Sequence, residues 1–321
     1  MNNTSRRDFI KIAASLTAGF GLANLPAEVM AALNKSGFDN APVLLYLQAQ
    51  SCSGCSISLL QSSNPSPHIL ITRYSKLAFH ADLSAAAFSK AAEIIESYIN
   101  GSAGDYILAL EGSIPFNMPA ACEINGKPIS DLLLKASKTM KAAVAVGACA
   151  TNGGVPGAEG NPTGAIPLLE FYKRNNVKPF LINIPGCPVH PDWVWQTVIH
   201  LVKAGAPELI DRDNEDNLIN SPKMFFGKRL HENCPRYHDF QEKIFARKIG
   251  DEGCLFEVGC SGPITFSDCS TRWWNSGTTW CIDANAPCVG CASKKFAHYK
   301  SHSFYRITEK IKNERSNTKD N

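Results

Sequence analysis

The chain has 321 residues, of which 44% are hydrophobic and 19% are charged, and its formal net charge is +3. A chain of this length buries a large core as one big domain or two moderate ones, and it needs no disulfides to fold. The small net charge does not indicate binding to nucleic acid or to a charged membrane surface. The unusual feature of the composition is its twelve cysteines.

The N-terminus has the features of an export signal. Arg6 and Arg7 precede a mildly apolar stretch, residues 12–25, and small residues near position 31 offer a cleavage site. We predict that residues 1–31 are a twin-arginine signal peptide and that the protein is periplasmic; an N-terminal amphipathic helix is the alternative. This route exports proteins already folded in a reducing cytosol, so it favours cysteines that bind metal cofactors over cysteines in disulfides. After residue 31 no segment supplies the roughly 20 apolar residues of a spanning helix, so we expect no transmembrane anchor.

Residues 32–215 are predicted to form a parallel α/β domain. The predicted strands are residues 42–49, 68–74, 105–112, 141–148 and 178–186. The clearest helical patterns are residues 84–100, 129–140 and 190–205. Continuous apolar strands that alternate with helices are typical of a parallel sheet covered on both faces. We therefore predict a flavodoxin-like, doubly wound α/β fold.

Residues 216–321 show little hydrophobic periodicity and many Gly, Pro, Trp and Cys residues. Such a segment has few ways to build a core of its own, and bound clusters would organise it. The prediction is a second, largely irregular domain that is held together by metal clusters.

Cysteines follow three of the predicted strands in the first domain. Cys52 and Cys55 come after the first strand, Cys149 after the fourth and Cys187 after the fifth. In open parallel sheets, ligands bind outside the carboxyl ends of the strands, so these thiols are expected to converge. Four cysteine thiolates are the ligand set of a [4Fe–4S] cluster.

The second region supplies the other candidate ligands. They are His231, Cys234, Cys254, Cys260, Cys269, Cys281, Cys288 and Cys291. Together with the strand-end cysteines they would serve three four-ligand sites, and only Cys122 is left unused. Zinc also accepts Cys₄ or Cys₃His, so ligand type alone does not separate it from iron–sulfur clusters. Disulfides are a further alternative, but the export route disfavours them. A single redox-active C-x-x-C pair is another, but it explains only two of the cysteines.

Several longer motifs occur in a fixed order between residues 41 and 305. They are "CSGCSISLL", "LEGSIP", "AVGACATNGGVPGAEGNPTGA", "NIPGCPVHPDW", "FFGKRLHENCP", "CLFEVGCSGP", "RWWNSGTTWC" and "PCVGC". In these motifs the chain resembles the small, electron-transferring subunit of nickel–iron hydrogenases, and it is most similar to the periplasmic, selenium-containing branch. The resemblance implies a heterodimer with a large subunit that carries the nickel–iron site. It also implies the reaction H₂ ⇌ 2H⁺ + 2e⁻, with electrons leaving for a cytochrome-type acceptor.

The resemblance further implies three clusters with assigned ligands. The proximal [4Fe–4S] cluster would use Cys52, Cys55, Cys149 and Cys187. The distal [4Fe–4S] cluster would use His231, Cys234, Cys254 and Cys260. The medial cluster would use Cys269, Cys288 and Cys291, with Cys281 as the fourth ligand. Many relatives with a [3Fe–4S] medial cluster have proline where Cys281 stands, so we predict three [4Fe–4S] clusters; a [3Fe–4S] medial cluster beside a spectator Cys281 is the alternative.

Two other details bear on the proximal site. The oxygen-tolerant branch of the family adds two cysteines beside this cluster, and the matching positions here are Gly54 and Gly154. Glu111 lies at the end of the predicted strand 105–112, so we expect it near the proximal cysteines, either supporting the cluster or the subunit interface, or as an ordinary helix-capping or loop carboxylate.

Two rival interpretations remain at this stage. A related electron-input subunit of a quinone- or ferredoxin-linked complex shares the proximal-cluster domain, but the export signal and the complete second region disfavour it. An exported structural zinc protein with no redox role is the rival of another class.

Overall fold

The computed structural model describes residues 41–63, 65–211 and 218–297. The predicted signal peptide, residues 1–31, and the predicted domain boundary at residues 215/216 lie outside these ranges.

A five-stranded parallel sheet organises the first domain. The strands of the described residues are β1 (Val43–Gln48), β2 (Lys76–His80), β3 (Ile107–Glu111), β4 (Ile114–Pro115), β5 (Glu123–Ile124), β6 (Lys127–Pro128), β7 (Ala142–Val146), β8 (Ala165–Ile166) and β9 (Leu181–Ile184). The main sheet has the order β2-β1-β3-β7-β9, and each neighbouring pair is parallel. The remaining strands form two short antiparallel pairs, β4 with β8 and β5 with β6. This strand order is that of a flavodoxin-like fold, so the predicted fold class is confirmed.

Helices connect the strands and continue, in shorter form, into the second domain. They are α1 (Gly54–Leu59), α2 (Pro67–Ile69), α3 (Phe88–Ile99), α4 (Ile129–Ala136), α5 (Gly147–Asn152), α6 (Leu168–Arg174), α7 (Pro191–Lys203), α8 (Lys223–Phe226), α9 (Tyr237–Gln241) and α10 (Cys269–Arg272). A π-helical turn covers Leu70–Tyr74, and 3₁₀ turns cover Pro119–Ala121, Leu230–Asn233, Leu255–Val258 and Gly262–Ile264. The three helices predicted from periodicity correspond to α3, α4 and α7, each shorter than its prediction.

The predicted strand at residues 68–74 is wrong. This stretch belongs to α2 and the π-helical turn, and the edge strand is β2, which pairs with β1. The apolar run was compatible with either structure, because periodicity does not separate a short buried helix from a strand. The deciding signal was Pro67 directly after Ser66, since proline is favoured in the first turn of a helix.

The two faces of the main sheet pack against different parts of the chain. Alternate residues of each strand point to opposite faces. Leu45, Leu108 and Ala143 belong to the core that includes residues of α3, α4 and α6. Leu44 and Val144 belong to a second core, which also contains residues of α7 and of the second domain. The second domain therefore shares a hydrophobic core with one face of the sheet.

The second domain is largely irregular, as predicted. In residues 218–297 the helices have at most five residues and none of the named strands occurs. Several of its large apolar side chains, among them Phe226, Leu255 and Trp280, are buried in the core shared with the sheet, whereas others, such as Ile249 and Phe256, are exposed.

Candidate metal centres

The first group of candidate ligands lies at the carboxyl edge of the main sheet. Cys52 and Cys55 lie directly beyond β1, the second of them in α1; Cys149 lies in α5, and Cys187 follows β9. The sequence placed all four after strands, and the structure agrees. We call these residues the proximal set.

The thiols of the proximal set influence one another electrostatically. Burial, followed by the negative charges of Cys187 and Cys52, raises the pKa of Cys149 to about 12. Burial, then the charges of Glu111, Cys149 and Cys187, raises the pKa of Cys55 well above its ordinary value. Ligand thiolates that repel one another in this way are stabilised together by bound metal, whose binding releases their protons.

Three glycines lie so close to the proximal sulfurs that a larger side chain would collide with them or crowd them. Gly147 has a φ of +82°, and a Cβ atom there would overlap Cys55 Sγ. A Cβ atom on Gly154 would lie 2.8 Å from Cys149 Sγ, and one on Gly54 would lie 3.1 Å from Cys52 Sγ. Gly54 and Gly154, the two positions singled out in the sequence, therefore lie beside proximal sulfurs.

A buried carboxylate, that of Glu111, holds the loop that carries Cys55. Glu111 is the last residue of β3 and is 1% exposed. Its Oε1 accepts the Cys55 N–H (3.2 Å), and its Oε2 accepts the Ser56 N–H (3.0 Å), the Ser56 hydroxyl (2.6 Å) and the Tyr46 hydroxyl (2.9 Å). The two amides belong to the first turn of α1, so Glu111 also caps this helix. Burial, then the charge of Glu111, raises the pKa of Tyr46, which keeps the phenol protonated as a donor.

A second group of ligands, which we call the distal set, lines a small cavity in the second domain. It comprises His231, Cys234, Cys254 and Cys260. Burial, then chiefly the charges of neighbouring thiols of the set, raises the pKa of Cys234, and burial followed by the charge of Cys260 does the same for Cys254. The sequence grouped these residues only through the family resemblance, and the structure brings them together.

The imidazole of His231 is arranged as a metal ligand would be. Its ring packs edge-on against Tyr237 and Phe240, with centroids 4.9 and 4.5 Å away. Burial lowers the pKa of His231, which favours the neutral, metal-binding form. Its Nε2 is buried and has no hydrogen-bond partner among the described residues. A buried polar atom without a partner is costly, and a metal ion would satisfy it.

The third group, which we call the medial set, comprises Cys269, Cys281, Cys288 and Cys291 in the second domain. Cys269 is the first residue of α10, and burial followed by the charge of Cys291 raises its pKa to about 12. Burial and the charge of Cys291 also raise the pKa of Cys288. Burial, followed by the charges of Cys281 and Cys187, raises the pKa of Cys291 to about 11. Cys281 itself is exposed. Cys281 therefore interacts electrostatically both with Cys291 of its own set and with Cys260 of the distal set.

Hydrogen bonds that involve residues flanking the ligands link the medial set to each of the other two sets. The amide of Ser261, next to Cys260, donates to the Cys288 carbonyl over 2.7 Å. On the other side, Asn152 of α5 donates to the Ser293 carbonyl over 2.9 Å.

All twelve cysteines carry free thiols, so the disulfide alternative is not supported. Within residues 41–63, 65–211 and 218–297, no three His, Cys, Asp or Glu side chains stand close enough to share a single metal ion. Cys122 is half-buried and belongs to none of the three sets.

Sequence reasoning missed several residues that support these sets. Tyr46 contacts Glu111 across 65 positions of sequence, and Arg272 pairs with Asp192 across 80. No spacing signal links residues so far apart. Ser56, adjacent to Cys55 in its motif, was the one accessible hint.

Comparisons with known proteins agree with this arrangement. Residues 226–305 match the family described as the C-terminal part of the NiFe/NiFeSe hydrogenase small subunit. Residues 52–201 match the family described as NADH ubiquinone oxidoreductase, 20 Kd subunit, so the first domain is shared more widely than the second. The periplasmic [NiFeSe] hydrogenase small subunit of Desulfomicrobium baculatum is 33% identical over 319 residues, which cover 92% of this chain and 97% of the relative.

The chain belongs to the NiFe/NiFeSe hydrogenase small-subunit family. The hydrogenase-2 small chain of Escherichia coli K12 is also similar, at 35% identity over 92% of this chain and 78% of the relative. A solved [NiFeSe] hydrogenase chain from Desulfovibrio vulgaris Hildenborough matches the fold with a TM-score of 0.75 and 33% identity, over 84% of this chain and 99% of that one. The corresponding chain from Desulfomicrobium baculatum gives a TM-score of 0.74 at 32% identity, over 83% and 98%.

Membership of this family makes the chain one part of a heterodimeric hydrogenase, paired with a large subunit. The match of the second domain favours this family over the electron-input subunits of other redox complexes, which share the first domain. In the described part of the chain, no helix has the length and apolar character needed to cross a bilayer.

Proposed function

We propose that this chain relays electrons between the nickel–iron site of its large subunit and an external, cytochrome-type acceptor. In this proposal the hydrogenase is periplasmic, its small subunit is exported by the twin-arginine pathway, and it catalyses H₂ ⇌ 2H⁺ + 2e⁻. The relative from Desulfomicrobium baculatum, whose name includes both the periplasm and [NiFeSe], supports the location and leaves the [NiFe] and [NiFeSe] branches open.

The proposed cofactors are three [4Fe–4S] clusters held by the proximal, medial and distal sets. The donor chemistry fits: eleven thiols and one imidazole stand in three groups, and Nε2 of His231 is buried without a partner among the described residues. Clusters of this kind accept and release single electrons when bound. The alternative for the medial set is a [3Fe–4S] cluster with Cys281 as a spectator.

The observation that carries the proposal is that hydrogen bonds link the medial set to both the proximal and the distal set. Hydrogen bonds join the helix of Cys149 to the segment after Cys291, and the residue after Cys260 to Cys288. These contacts support the proposal that the three sets work as one continuous series. The proximal set, at the sheet edge, would face the large subunit, and the distal set would face the acceptor.

Residues around the three sets orient the ligands and donate hydrogen bonds to their sulfurs. Glu111 orients the loop of Cys55, Gly262 N donates to Cys260 Sγ (3.4 Å) and Gly290 N donates to Cys288 Sγ (3.4 Å). Donors to sulfur and burial from water are the means by which a protein sets the potential of such centres. The buried side chain of Trp280 belongs to the same hydrophobic core as Cys269 and Cys288, so it would help to exclude water from their sulfurs.

The test is the metal content of the anaerobically purified heterodimer. We expect brown protein with about twelve irons per small subunit and acid-labile sulfide in equal amount. Colourless protein with zinc would overturn the proposal. Cys269→Ser should reduce the iron content, whereas Cys122→Ser, which changes a thiol outside the three sets, should leave it unchanged.

The location is tested separately. Replacing Arg6 and Arg7 together by lysine should leave the folded, iron-loaded protein in the cytoplasm. Undiminished export of this double variant would contradict the twin-arginine route without touching the redox proposal.

A further inference from the structure

The indole of Trp274 points its N–H group at a sulfur of the medial set. Trp274 Nε1 lies 3.5 Å from Cys269 Sγ, within the range of an N–H···S hydrogen bond. The neighbouring Trp273 is also half-buried, but its Nε1 donates to the Ser270 carbonyl over 3.1 Å. Two adjacent tryptophans therefore have different targets, one a sulfur and the other a backbone oxygen.

The backbone fixes the position of the Trp274 ring. Trp274 N donates to the Thr279 carbonyl over 2.7 Å and opens a tight turn through Asn275, Ser276 and Gly277, which all have positive φ. Trp273 itself has a φ of +63°, an uncommon conformation for a bulky residue. Such strain persists only when surrounding contacts determine it, and it is common at functional sites.

Aromatic rings of the first domain clamp the same indole. The Trp274 ring stands edge-on to His190, with centroids 4.8 Å apart, and to Trp193, 6.1 Å apart. The Trp193 indole in turn donates to Asp268 Oδ1 over 2.7 Å, next to Cys269 in the chain. The ring and the sulfur that it contacts are thus both fixed to the start of α7.

The imidazole of His190 completes the clamp. His190 Nδ1 accepts the amide of Asp192 over 3.1 Å, so the proton of the neutral ring is on Nε2. His190 Nε2 then donates to the Trp273 carbonyl over 2.9 Å. This bond holds the backbone immediately before Trp274.

We propose that Trp274 is a positioning residue whose indole N–H sets the reduction potential of the group that the medial set holds. The inference rests on the proposed function, because it requires an iron–sulfur cluster on Cys269. A donor to a ligand sulfur stabilises the extra negative charge of the reduced state, so it raises the reduction potential. Trp274 therefore makes the middle position of the relay easier to reduce than the cysteines alone would.

The experiment compares Trp274→Phe with Trp273→Phe in the purified heterodimer. Both substitutions retain an aromatic ring and remove one N–H, but only the first removes a donor to sulfur. Potentiometric titration followed by electron paramagnetic resonance gives the midpoint potentials. In Trp274→Phe we expect one midpoint to fall, with a three- to tenfold lower equilibrium constant for one-electron reduction, or about 30–60 mV. The other midpoints, and all those of Trp273→Phe, should not change.

Unchanged midpoints in Trp274→Phe, or an equal fall in Trp273→Phe, would overturn the inference. If Trp274→Phe does not retain iron, the unmodified heterodimer labelled with ¹⁵N-tryptophan decides. Pulsed resonance should then detect a hyperfine coupling between an indole nitrogen and a reduced cluster, and its absence would refute the contact. A heterodimer without iron would instead contradict the proposed function itself, so the two failures are distinguishable.

Discussion

Replacing Glu111 by alanine tests whether the carboxylate holds the proximal loop. Glu111 accepts four hydrogen bonds, from the hydroxyls of Tyr46 and Ser56 and from the amides of Cys55 and Ser56. Tyr46 and Ser56 are 1% and 2% exposed, so water does not replace the lost acceptor. At the low end of about 1 kcal/mol for each buried donor left unsatisfied, Glu111→Ala destabilises the loop by about 4 kcal/mol.

The conservative changes should cost less, in a defined order. In Glu111→Gln the amide oxygen can replace Oε2 and keep three bonds, but the NH₂ group then faces the Cys55 N–H. One lost bond predicts a cost of about 1–2 kcal/mol. Tyr46→Phe removes one donor and leaves the other three bonds of the carboxylate, so its cost should be similar. Because the two residues are in contact, their effects should be non-additive in the double variant.

Iron release from the heterodimer measures this loop, since the metal leaves only when its ligands open. If release follows local opening, each 1.4 kcal/mol changes its rate tenfold, so Glu111→Ala should release proximal iron to a chelator about a thousandfold faster. Glu111→Gln should accelerate release about tenfold. The control is Glu96→Ala, which removes an exposed carboxylate of α3 that pairs with Lys127. Equal release rates in Glu111→Ala and Glu96→Ala would refute the reasoning.

Three further changes test the ligand sets. Gly147→Ala places a Cβ atom against Cys55 Sγ and should remove proximal iron. The control is Gly104→Ala, where φ is also positive (+99°) but no atom lies within 4 Å, so the change should cost only about 1–2 kcal/mol of stability. Equal iron contents in the two variants would contradict the steric argument. Cys281→Ser should produce a three-iron signal in oxidised protein that the parent lacks, and a parent that already shows this signal would reject Cys281 as a ligand. His231→Ala should lower the iron content through loss of distal iron while the proximal and medial signals remain, and full iron retention would count against the imidazole as a ligand.

The parts of the fold that were predictable from the sequence are those whose residues are buried on both sides. Every residue of β3, β7 and β9 is buried, and all of them except Glu111 and Asn183 are apolar, so these strands stand out in the sequence. The edge strand β2 is half-exposed at its start, and the more apolar run before it drew the prediction to the wrong segment. The other edge strand, β9, is fully buried and was predicted, so the exposure of β2, and not its edge position, made it hard to predict.

The candidate site also has a part that was predictable from the sequence and a part that was not. The proximal cysteines were predictable because parallel strands bring their carboxyl ends to one edge, whatever the helices between them do. In the second domain no regular element relates Cys234 to Cys254 or Cys288 to Cys269, so only the family resemblance grouped them. Glu111 was expected near the proximal cysteines, but its hydrogen-bond partners and those of Trp274 were not predictable, because they depend on side-chain packing between distant segments.

The start of α7 explains how an irregular domain can hold ligands at fixed places. Asp192 pairs with Arg272 over 3.1 Å, and Arg272 pairs with Asp268 over 2.7 Å, with only 13% of the arginine side chain exposed. Trp193, fully buried in the core shared by both domains, also binds Asp268. The same short segment follows Cys187 by a few residues, so one rigid element carries contacts to both the proximal and the medial sets. The separation of these sets is therefore fixed by α7 and its ion pairs, so the largely irregular residues 218–268 do not need further regular structure to maintain it.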